Sequence, residues 1–183
     1  QAAIDTASAG ATLTLCAGTW EVPATLEITR PVTLVGAGAG QTILDGGNQR
    51  RVLQITADVP VTLQALTVTN GKDQHQGSGI FNQGTLLLVD TELISNEITE
   101  DLGSGRGGGA IYSDNSVTLR NTVVRENTSS QTDAGGISIA AGTLTLETGS
   151  SIVANSAYFD GGGVYLAAGT LVMKSGSVIE ENY

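Results

Sequence analysis

The sequence predicts an all-β chain wound as a right-handed parallel β-helix, a solenoid of about 6–7 coils behind a short N-terminal helical cap. Three observations predict it. An apolar–Thr–apolar triplet returns along the whole chain, asparagines recur in step with it, and glycine clusters precede a recurring Ile or Val. Composition agrees: 40% of residues are hydrophobic but only 4% aromatic, and 25 glycines suit short strands with tight corners better than packed helices. The 183 residues read as one domain, with residues 1–11 as cap and 12–183 as coils.

The cap is read from Ala2 to Ala9, "AAIDTASA", an amphipathic turn that sets Ala3, Ile4 and Ala7 against the first coil. A solenoid needs such a cover because the end of its stack otherwise exposes core side chains and strand edges.

The triplets are Leu13-Thr14-Leu15, Val32-Thr33-Leu34, Val61-Thr62-Leu63, Leu86-Leu87-Leu88, Val117-Thr118-Leu119, Leu144-Thr145-Leu146 and Leu171-Val172-Met173. Their spacing varies from 19 to 31 residues, so loops differ while strands persist. Alternation puts the outer two residues of each triplet inside and the middle one outside. A full repeat shows three such segments, as in Leu144 to Leu146, Ser151 to Val153 and Val164 to Leu166. Coils of this kind stack about 4.8 Å apart through backbone hydrogen bonds.

Asn70, Asn96, Asn127, Asn155 and Asn182 follow the triplets at steps of 26 to 31 residues. At a tight corner Asn tolerates the left-handed conformation, and its amide can bond the amide of the next coil, so these five are predicted to form an asparagine ladder. Ile80, Ile111, Ile137 and Val164 each have glycine within the three preceding residues. A phosphate-binding loop would need a following helix or a Gly-Lys-Ser/Thr ending, and neither is present. The glycines are therefore predicted to mark corners. At the far end, Val178 to Tyr183 stops in mid-coil, which predicts further chain or a partner there, including end-to-end stacking of copies. The opening "QAAIDTASAG" carries no signal peptide and is expected to begin a mature or excised piece.

With these residues in hand, the chain resembles right-handed parallel β-helix proteins of the pectate-lyase-like superfamily. It is most similar to secreted bacterial repeat proteins related to chlamydial polymorphic outer membrane proteins. "AAIDTASAGATLTLCAGTW", "PVTLVGAGAGQTILDGG" and "LQALTVTNG" resemble the first coils of such chains, and "GGGAIYS" and "GGGVYL" their Gly-Gly-Ala-Ile motif. The companion Phe-x-x-Asn motif keeps only its Asn in "VRENT", "IVANS" and "VIEENY". The resemblance implies secretion and surface display. It fixes no activity, because the superfamily hosts lyases, hydrolases, adhesins and autotransporter passengers.

Charge narrows the partners. A formal net charge of −10 disfavours nucleic acid and anionic membranes, and no run approaches a membrane-spanning helix. Cys16 stands alone, so no intramolecular disulfide is possible.

Candidate chemistry is sparse. The outward column Thr14, Thr33, Thr62, Leu87, Thr118, Thr145 and Val172 holds no acid or base, and as a broken single file it is too narrow for an ice-binding face. The next column ends in Arg120, Glu147 and Lys174, an alternating charge ladder. Asp133 and Asp160 are predicted to stack on adjacent coils, where two carboxylates would suit Ca²⁺ or an acid/base pair; solvated loop acids are the competing reading. Phe81, Tyr112, Ser138 and Tyr165 are predicted to form an outward aromatic stripe, the best candidate for stacking on sugar rings, or a purely structural ladder. His75 has no His or Cys near it in sequence, so no metal site is expected there.

No catalytic residue is assigned. The leading expectation is a non-catalytic, adhesin-like or structural module, secreted or at a bacterial cell surface, with no cofactor. It would present the loops at Glu97 to Arg106 and Lys72 to Gly77 to a protein or glycan. A carbohydrate-active enzyme (polysaccharide lyase or glycoside hydrolase) or a carbohydrate-binding β-helix is the alternative, and a self-assembling subunit a further one.

Overall fold

The computed structural model describes residues 1–56, 58–100 and 107–183. Among these residues the chain forms a single short helix, Ala2–Thr6, and a parallel β-solenoid of about 6 turns. Sheet A stacks Ala11–Thr14, Val32–Val35, Pro60–Gln64, Thr85–Val89, Val117–Arg120, Gly142–Leu146 and Gly169–Met173. Sheet B stacks Gly18–Glu21, Thr42–Asp45, Thr67–Thr69, Glu92–Ile94, Val123–Arg125, Ser151–Val153 and Val178–Glu180. Sheet C stacks Leu26–Ile28, Leu53–Ile55, Ile80–Asn82, Ile111–Ser113, Ile137–Ile139 and Val164–Leu166. Every strand pairs with its equivalent one winding away.

The core follows from alternation and register together. Val117 pairs with Leu144, and Leu144 with Leu171, so the inward side chains of sheet A lie over one another. The neighbouring file runs Leu34, Leu63, Leu88, Leu119 and Leu146, each at most 2% exposed. Sheet B contributes Leu44, Val68, Leu93, Val124 and Ile152, again essentially buried. Burying one such side chain contributes roughly 1.5–3 kcal/mol, and repetition makes the files the main source of stability.

Three features differ from the sequence reading. A fourth sheet, D, consists of the two-residue strands Lys72–Asp73, Glu97–Ile98, Thr128–Ser129 and Ser156–Ala157. Strands this short carry no readable alternation. Sheet D starts only in the third winding, so the rod has three sides at its N-terminal end and four from Lys72 onward. The first strand sits two residues from its expected register: Thr12, not Thr14, pairs with Thr33, and Leu13 pairs with Leu34. A slip of two leaves every side chain on its own face, so alternation could not detect it. The backbone bonds from Gly10 N–H to Pro31 O and from Gly18 N–H to Gln41 O, both 2.7 Å, anchor the actual register.

The third difference is in the cap. Ile4 is buried and Ala7 packs partly on the core, but Ala3 is exposed, so the helix, which stops at Thr6, turns only Ile4 fully inward. Gln1 completes the cover. Its side-chain oxygen accepts the Glu27 N–H at 2.9 Å, and its amide donates to Glu27 O at 3.0 Å, which imitates a neighbouring strand along the sheet C edge.

Candidate functional site

The asparagines meet inside the corner between sheets B and D. Asn96 Nδ2 donates to Asn127 Oδ1 at 2.9 Å, Asn127 Nδ2 to Asn155 Oδ1 at 2.9 Å, and Asn155 Nδ2 to Asn182 Oδ1 at 3.0 Å. Each acceptor oxygen also takes the backbone N–H of the preceding Asn, at 3.0 Å. Asn70 lies outside the ladder. Gly71 occupies the matching place and gives its N–H to Asn96 Oδ1, while Asn70 donates to Asp45 Oδ1. The left-handed residue at each corner is the one before the ladder position: Asn70, Ser95, Glu126, Ala154 and Glu181 all have φ between 52° and 55°. Left-handed tolerance and ladder bonding were expected at one position, and the structure divides them between two. With Asn96, Asn127 and Asn155 fully buried, these amides are spent internally.

The glycine clusters form the corner leading into sheet C. Gly77, Gly108, Ala134 and Gly161 stand in equivalent places with φ from 56° to 85°. Two positions later the coils approach closely: a Cβ at Gly136 would lie 2.3 Å from Gly163 O.

The predicted aromatic column shares one face of sheet C, in the order Phe81, Tyr112, Ser138, Tyr165. Phe81 and Tyr112 stack at 5.4 Å with planes 9° apart, and the Arg51 guanidinium covers the Phe81 ring at 4.9 Å. Tyr112 is only 5% exposed and donates its hydroxyl to Asp114 Oδ1. Ser138 is buried, with a hydroxyl that has no hydrogen-bond partner among the described residues, and Tyr165 is half-buried. The expected outward stripe therefore offers no open ring face at Tyr112, where its neighbours and the fold cover it.

Asp133 and Asp160 do fall on adjacent coils. The Asp133 carboxylate accepts the Asp160 N–H at 3.1 Å, so one of its oxygens closes the neighbouring loop. Among the described residues no three His, Cys, Asp or Glu side chains gather to hold a metal ion. Glu147 bridges Lys174 and Arg120, its Oε2 lying 2.6 Å from Arg120 Nε. The bonds from Lys174 and then Arg120 hold its carboxyl below the usual carboxylate range.

Two surface grooves lie on the side where sheet D runs. The first, about 450 Å³, is lined by Thr25, Arg50, Arg51, Lys72, Asp73 and His75 among others, at the step where the fourth sheet begins. Arg51 is its half-buried wall. It donates to Gly77 O at 3.0 Å, Gln76 O at 2.7 Å and Gln54 Oε1 at 3.0 Å, and pairs with Asp73 at 3.2 Å. Burial pulls its pKa below the ordinary arginine range, and the Asp73 charge partly restores it. The loop at Lys72 to Gly77 is thus fastened down by a guanidinium fork. Of the other expected contact loop, residues 101–106 lie outside the described residues.

The second groove, about 470 Å³, is lined by Ser130, Gln131, Tyr158 and Phe159. Tyr158 and Phe159 are 70% and 62% exposed, with ring centres 4.8 Å apart at 90°. They follow strand Ser156–Ala157 directly, and the Tyr158 N–H is held by Ser129 O at 2.9 Å. The sequence reading missed this pair. Its position explains the miss: both residues lie in the bend that follows the strand, where alternation no longer assigns a face.

No protein-family model, curated protein or solved structure matches this chain.

Proposed function

We propose that this chain is a non-catalytic module of a secreted or cell-surface protein, adhesin-like, in which a rigid rod holds recognition loops along one side for a protein or glycan. The observation that carries the reading is the exposed Tyr158–Phe159 pair, in a chain whose inward apolar files and asparagine ladder are buried. Large rings left in water by a chain so poor in aromatics mark contact surface. The net charge of −10 supports solubility and a partner that is not polyanionic.

The resemblance of "GGGAIYS" from Gly107 and "GGGVYL" from Gly161 to the repeats of chlamydial polymorphic outer membrane proteins supports surface display on a pectate-lyase-like β-helix.

The test is adherence of the fluorescently labelled domain to intact bacterial and epithelial cells, with protease-treated and periodate-treated cells in parallel. Binding that is lost after either treatment supports a recognition module. Absence of binding to any untreated cell, or turnover of a polysaccharide with release of new ends, overturns it.

A further inference from the structure

We infer that Tyr158, Phe159, Gln131 and Ser130 form a saccharide subsite for an uncharged pyranose; the inference rests on the display reading above and names the ligand class of its exposed loop. The argument starts with the rings. Two aromatic side chains standing edge to face at 4.8 Å present two perpendicular surfaces, both mostly in water. The axial C–H groups of a pyranose form a flat, weakly positive patch that matches the negative face of a phenyl ring.

The floor supplies the second half of the chemistry. The exposed Gln131 makes no side-chain hydrogen bond among the described residues, so its amide offers a donor and an acceptor to sugar hydroxyls. Ser130 sits beside it, its hydroxyl bonded among the described residues only by a long 3.4 Å contact to Glu97 Oε1. A flat apolar ring face next to a free amide and a hydroxyl suits the alternating C–H and O–H surface of a sugar better than a wholly apolar ligand.

Charge selects among sugars. Asp160 follows Phe159 directly and is exposed, and Asp133 stands one coil below it, while Glu97 by Ser130 is paired with Lys72 at 3.3 Å, so the two aspartates set the local charge. This carboxylate surround repels uronates and sulfated chains. The subsite is pre-formed, because neighbouring coils hold its backbone: Tyr158 N–H bonds Ser129 O, and Ala157 N–H bonds Tyr183 O at 2.8 Å.

Isothermal titration with cellohexaose, xylohexaose, chitohexaose and hexagalacturonate tests this on the whole chain and on Tyr158→Ala, Phe159→Ala and Gln131→Ala. The rings touch no core file, so circular dichroism and melting temperature should stay unchanged in all three. The expected result is binding of at least one neutral hexasaccharide, weakened about tenfold by each ring deletion, and no binding of hexagalacturonate. Preference for hexagalacturonate, indifference of the neutral ligand to both ring deletions, or binding of no hexasaccharide overturns the subsite. Adherence lost after protease treatment but kept after periodate would also sink the subsite while leaving the display reading standing.

Discussion

Asn127 donates its side-chain amide to Asn155 Oδ1 at 2.9 Å, and its own oxygen receives both the amide and the backbone N–H of Asn96. One side chain therefore satisfies groups on both neighbouring coils. Asn127→Ala would strand donors and acceptors in a fully buried corner and should destabilise by about 3 kcal/mol. Asn182→Ala, at the less buried end of the ladder, should cost less than half as much. Urea unfolding of both variants checks the ordering.

The glycines divide into two kinds, and substitution should separate them. Gly136→Ala would drive a methyl group into Gly163 O and should cost at least about 2 kcal/mol. Gly40 has φ of +74° but open space around it, so Gly40→Ala should cost only about 1 kcal/mol of backbone strain. Equal losses in thermal stability would refute the close-approach account of the corner.

Arg51→Lys keeps the charge but loses the fork that grips Gln76 O, Gly77 O and Gln54 Oε1. A loss of about 2 kcal/mol is expected, together with faster amide exchange across residues 72–79. Unchanged exchange there would show that Arg51 does not hold the loop.

Glu147 has its folded carboxyl below the usual range, first through the Lys174 bond and then through Arg120. A depressed carboxyl contributes stability that is present above the ordinary carboxylate pKa and is lost as pH falls through the folded value. The melting temperatures of the wild type and Glu147→Gln should therefore differ at neutral pH and converge in acid. Added salt should also shrink the gap, because the pair is exposed. A gap independent of pH would contradict the linkage.

The rod itself was legible because its signal repeats. A triplet such as Val117-Thr118-Leu119 is ambiguous alone, yet seven of them in step leave few alternatives to stacked coils. Sheet D was not legible, since Thr128–Ser129 and Ser156–Ala157 are too short to alternate. Asn70 misled for a physical reason: it is left-handed as expected, but its side chain reaches back to Asp45 while Gly71 takes the ladder place. Tyr112 reads as an outward residue by parity, and its burial depends on packing that no local pattern records. The Tyr158–Phe159 pair lies between sheets, where periodicity gives no guidance.

The ladder bonds carry one more consequence. Gly71 and Asn96, Asn96 and Asn127, and Asn127 and Asn155 are 25, 31 and 28 residues apart, and strand partners all along the rod are 21 to 31 residues apart. Each winding therefore closes a loop of similar size, whose entropic cost depends only weakly on length. Assembly can proceed processively, every finished layer serving as template for the next, at a cost that does not grow with the height already reached.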